Sequence, residues 1–125
     1  MSDSSVPDHV RDFLLVHIHS VAHLEALLLL REHDNEQWNV AHLSQRLYID
    51  EADAGTILNA LVASNLITEK GSTFQFGPLD DEQRLLVDAV AANYAQRLVP
   101  VTRIIHEKGT SAYQFANAFR FGKDK

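Results

Sequence analysis

The chain has 125 residues and 46% hydrophobic content, enough for one ordinary core. A net charge of −6 opposes strong sequence-independent attraction to nucleic acid, which depends on lysine and arginine displacing phosphate counterions. With no cysteine, a disulfide framework, a thiolate metal site and a cysteine nucleophile are all excluded, and cytoplasmic residence is the default expectation.

Residues 1–19 are expected to be an N-terminal extension with one helix. Met1 to Val6 are small and polar. Pro7-Asp8 then opens the helix, because proline suits an initial helical position, and Val10, Phe13, Leu14 and Ile18 follow at helical spacing. The most apolar stretch, Phe13 to Leu30, is interrupted by His17, His19, Ser20, His23 and Glu25, so neither a signal peptide nor a membrane span is expected.

Residues 20–78 read as the core. Ser20 is a good N-cap for Val21 to His33, where Leu24, Leu27, Leu28, Leu29 and Leu30 make a helix apolar nearly all round, so a central, buried position is expected. The polar run His33 to Glu36 ends it, and Trp38, the one tryptophan, follows. Asn39 caps a helix carrying Val40, Leu43 and Leu47 on its inner face. Asp50, with Asp53 three residues later, starts another, with Ala54, Ile57, Leu58, Leu61 and Val62 as its buried stripe. Leu66 to Thr68 and Thr73 to Phe76 are short strand-like runs around Gly71-Ser72, and Pro78 ends the hairpin.

Residues 79–108 are expected to form a long closing helix. Asp80 and Gln83 make its cap, and Leu86, Val90, Tyr94 (or Asn93), Leu98, Val101 and Ile105 give one apolar stripe. Pro100 removes a backbone hydrogen bond within that stripe and should kink or split the helix in two. Residues 109–125 form an aromatic and basic tail. There Ala112, Phe115, Ala116 and Phe119 fall on one side of a short helix, followed by Arg120, Lys123 and Lys125.

The order helix, turn, helix, hairpin from about Val21 to Phe76 resembles the winged-helix module of MarR-type and related small bacterial regulators. The resemblance implies a mainly α fold with a small β-hairpin wing, a short first strand at Trp38, and added helices at each end. Ser20 to Leu30 together with Phe115 to Arg120 look like a group of small uncharacterised bacterial winged-helix proteins. That likeness implies no activity and carries over no functional residue.

Known winged-helix regulators read DNA with the start of the second helix, a role that rewards arginine, lysine, asparagine and glutamine. Here that helix begins Asp50-Glu51-Ala52-Asp53, and between Asp34 and Leu66 five acidic residues face one basic residue, Arg46. Duplex DNA binding is therefore expected to be weak and non-specific, with Arg46, Thr56, Asn59 and Lys70 as the candidate contacts. His19 and His23, four apart with His17 nearby, could share a helical face, but no third ligand at metal-site spacing follows, so no metal is expected. No glycine-rich phosphate loop or serine elbow is present, and Asp80, Asp81 and Glu82 fit a helix start; neither enzymatic activity nor a cofactor is expected.

Protein interaction is the better-supported class. The stripe from Leu86 to Ile105 is longer than a compact three-helix core covers, and added terminal helices commonly make winged-helix dimers. Leu86, Val90, Tyr94, Leu98, Val101 and Ile105, with Phe115 and Phe119 of the tail, are the interface candidates. Packing of Val10 to Ile18 on the same stripe is the intramolecular alternative. The expectation is a regulatory module acting through a protein partner and homodimerisation; the alternative is a DNA-binding transcription regulator.

Overall fold

In the computed structural model, which describes residues 6–107, the chain runs through α1 (Asp8–His17), α2 (Val21–Glu32), α3 (Val40–Leu47), α4 (Glu51–Ala63), β1 (Ile67–Lys70), β2 (Thr73–Phe76) and α5 (Asp81–Gln96). A further helix, α6, occupies 98–107. The fold is mainly helical, with one two-stranded antiparallel hairpin. No single helix among the described residues is long and apolar enough to cross a membrane. Backbone contacts divide the chain into two compact units. One joins the described residues up to Val21 with those from Ala89 onward, and the other is Ala22–Asp88.

In the Ala22–Asp88 unit, α2 buries His23, Leu24, Ala26, Leu27 and Leu30. The all-round burial expected of it is incomplete: Leu28 and Leu29 are half-covered and Glu25 is exposed. Asn39 caps α3 by accepting from the His42 amide at 2.7 Å, and Asp50 caps α4 by accepting from the Asp53 amide at 2.8 Å. Packing of α3 on α4 and of α4 on β1 gathers Leu43, Ala54, Leu58 and Leu61 into the core. Trp38 does not lie in a full strand. It forms an isolated antiparallel bridge to Phe74, with two 2.7 Å backbone hydrogen bonds.

The hairpin pairs Ile67 with Phe76 and Lys70 with Thr73. Alternation along each strand puts Ile67, Phe74 and Phe76 on the buried side and Thr68, Lys70, Thr73 and Gln75 on the other. Gly71 at φ 61° makes the tight connection without a Cβ clash. Asp80 then accepts from the Gln83 amide at 2.7 Å while the Gln83 side chain accepts from the Asp80 amide at 3.3 Å, a reciprocal cap that starts α5. Arg31 holds the unit's far end of α5 through Asp88 at 2.8 Å.

In the other unit Val10, Phe13, Leu14 and Ile18 are buried, as are Val90, Asn93, Val101, Ile104 and Ile105. The closing helix is split, with the break at Arg97. Pro100 cannot donate to the carbonyl four residues back, and its ring would crowd it. Restarting the helix after Arg97 places Pro100 in the first turn of α6, where its missing N–H is no loss, and the Val101 amide takes up the Arg97 carbonyl at 3.0 Å.

That break corrects the continuous apolar stripe. The phase resets at Arg97, so Leu98 turns outward while Val101, Ile104 and Ile105 turn inward. Of the two alternatives at the third stripe position, Asn93 is the buried one and Tyr94 is half-exposed. Asn93 satisfies its amide locally, donating to the Ala89 carbonyl at 2.9 Å and accepting from Arg97 at 3.2 Å.

Candidate interaction surface

The turn between α3 and α4 is set by local hydrogen bonds. Tyr48 takes the left-handed conformation at φ 58°, the Ser44 hydroxyl donates to the Ile49 carbonyl at 2.6 Å, and the Ile49 amide donates to the Ser44 carbonyl at 3.1 Å. Glycine usually fills such a position because a Cβ there is crowded. Tyr48 instead presents its ring to solvent at 94% exposure. Nothing in its sequence context signalled this exposed aromatic.

The outer face of α4 carries Ala52, Thr56, Asn59 and Ala63, all exposed. Thr56 turns its hydroxyl back to the Ala52 carbonyl at 3.0 Å, so its donor is occupied within the helix. The first turn exposes Glu51 and Asp53. The face is thus small and uncharged along its length and acidic at its start. Phosphate oxygens approaching that start would meet like charge, and the helix dipole offsets only part of it.

The four candidate DNA contacts are all exposed and all belong to this unit. They do not share one element: Arg46 is on α3, Thr56 and Asn59 on α4, and Lys70 at the hairpin end. Arg46 lies over the Trp38 ring, its guanidinium carbon 5.6 Å from the centroid. Trp38 is fully buried and stacks on His42 at 4.2 Å with a 17° interplanar angle, while His33 leans against it at 6.0 Å. The spacing of Trp38, His42 and Arg46 at four-residue steps could have revealed that column; the chain's charge count did not.

The interface candidates separate under the structure. Val90, Val101 and Ile105 are buried within the chain, so their expected role at a partner contact is corrected: they belong to the interior of their own unit. Leu86 and Tyr94 are half-exposed. Leu98 is 51% exposed and its neighbour Val99 60%. Phe115 and Phe119 lie outside the described residues. The same unit also exposes Leu15 at 40% and Val16 at 65% on α1, two positions the helical spacing of the buried face left unremarked.

Among the described residues no group of three or more His, Cys, Asp or Glu comes together in a way that could hold a metal ion. A cleft of about 370 Å³ lies beside the hairpin, lined by Asp34, Asn35, Thr68, Lys70, Gln75 and Arg84 with Phe76, Gly77 and Pro78. No family model, no curated protein and no solved structure matches the chain.

Proposed function

We propose that the chain is a winged-helix regulatory module of the MarR-like kind that works through protein interaction and self-associates as a homodimer. The order α2, bridge at Trp38, α3, α4, hairpin supports the winged-helix reading. The observation that carries the self-association is the set of two adjacent pairs, Leu15-Val16 and Leu98-Val99, exposed on the helices of one unit. Large apolar side chains in pairs are costly to leave in water, and a second copy removes them from it.

Sedimentation tests this reading. The chain should sediment as a dimer at high micromolar concentration, and Leu98→Asp with Val99→Asp should give a folded monomer, because both side chains already face solvent. A monomeric unsubstituted chain overturns the reading. DNA binding is the competing function, and the acidic opening of α4 disfavours it. Saturable, sequence-dependent duplex binding in the nanomolar range would establish it instead, with Arg46, Thr56, Asn59 and Lys70 as the first positions to substitute.

A further inference from the structure

The polar side of the hairpin is not bare. Thr68, Lys70 and Gln75, which alternation turns away from the core, form one side of the cleft whose other residues are Asp34 and Asn35 after α2, the Gly77-Pro78 turn, and Arg84 in the second turn of α5. Its volume of about 370 Å³ lies inside the range of roughly 300–1,000 Å³ that small-molecule sites occupy.

The cleft is held open by fixed contacts. The Gln75 amide donates to the Asp34 backbone carbonyl at 2.9 Å, which ties the loop after α2 to β2. The Thr68 hydroxyl donates to the Gly77 carbonyl, which ties β1 to the turn. Gly77, at φ 74°, lets the chain bend there in a conformation that residues with a Cβ rarely adopt.

Its charges are unusual for an acidic chain. Among the described residues neither Lys70 nor Arg84 has a carboxylate within ion-pair distance. The reason for Arg84 is visible along α5. Asp88, one turn on, is taken by Arg31 at 2.8 Å, and Asp80, one turn back, accepts from the Gln83 amide. The two carboxylates four residues away on either side are thus engaged elsewhere, and Asp81, three residues back, makes no ion pair with Arg84. Two cations against the one carboxylate of Asp34 leave the lining net positive.

We infer that this cleft binds a small organic anion, its carboxylate or phosphate held between Lys70 and Arg84, with Asn35 and Gln75 contributing amide hydrogen bonds and Pro78 an apolar contact. The guanidinium fork matches two oxygens of either group, while the ammonium adds a point charge. The inference is independent of the homodimer reading, since every lining residue belongs to the Ala22–Asp88 unit.

Amide NMR of the full chain, titrated with citrate and separately with inorganic phosphate at constant ionic strength, tests it. Saturable shifts at Asn35, Lys70, Gln75 and Gly77 are expected with one or both probes, and which probe binds tighter assigns the charge class. Arg84→Gln and Lys70→Gln should each weaken binding by about tenfold, the loss of one charge-assisted hydrogen bond. Asp34→Asn should tighten it. If Arg84→Gln fails to give a native amide spectrum, Lys70→Gln alone carries the comparison. The inference is overturned if neither probe saturates, if the substitutions leave the shifts unchanged, or if those amides respond to duplex DNA and to neither small anion.

Discussion

Tyr48 holds a left-handed backbone with a ring that touches almost nothing, so its side chain offers little to offset the crowding of its Cβ. Asparagine tolerates the same φ and ψ. Tyr48→Asn should therefore stabilise the chain by about 0.5–1 kcal/mol, read as a higher Tm. Trp38 presents the opposite balance. Replacing it by alanine removes the buried ring under His42 and Arg46 and should cost about 3–5 kcal/mol in denaturant unfolding. Its indole N–H is buried with no acceptor among the described residues, so Trp38→Phe discards an unsatisfied donor and should cost distinctly less than Trp38→Ala. Little of this was legible in the residues themselves. An aromatic in a left-handed turn follows no propensity, and the engagement of Asp88 by Arg31 spans 57 positions, so the unpaired state of Arg84 cannot be seen from its helical neighbours alone.

Elements were more readable than residues, because caps and periodicity are local. Asn39, Asp50 and Asp80 each mark a helix start in the sequence, and each accepts the hydrogen bond expected of it. Asp50→Ala should cost about 1 kcal/mol of stability, measured by denaturant unfolding, through loss of the bond to the Asp53 amide. The closing helix was legible up to its break and only in part beyond, where Val101 and Ile105 are inward as the stripe has them and Leu98 is not. Proline predicts that a helix divides, but the phase in which the next one restarts depends on which carbonyl is surrendered. Here the surrender falls at Arg97, and Leu98 and Ile104 exchange the places that an unbroken helix would assign them. The sequence left Asn93 and Tyr94 as alternatives at one stripe position, and the choice between them was not legible, since the Asn93 amide is satisfied inside its own helix rather than by a distant partner.

At the scale of the whole chain, net charge and exposed apolar pairs bear on association. If Leu15, Val16, Leu98 and Val99 meet a second copy, thermal stability should rise with protein concentration, and the Leu98→Asp and Val99→Asp pair should abolish that dependence without lowering the melt of the dilute chain. The same chain carries a built-in optical reporter. Trp38 is the one tryptophan in the sequence, and it is seated in the Ala22–Asp88 unit, so its emission follows the opening of that unit alone. Backbone circular dichroism, by contrast, sums every helix in both. Because α5 runs unbroken from Asp81 to Gln96 through the division at Asp88, neither unit can melt entirely without fraying a helix of the other. The fluorescence and dichroism transitions should therefore superimpose in urea. A Trp38 signal that lags or leads would mean that the two halves of α5 are able to uncouple, and that the chain unfolds in two steps.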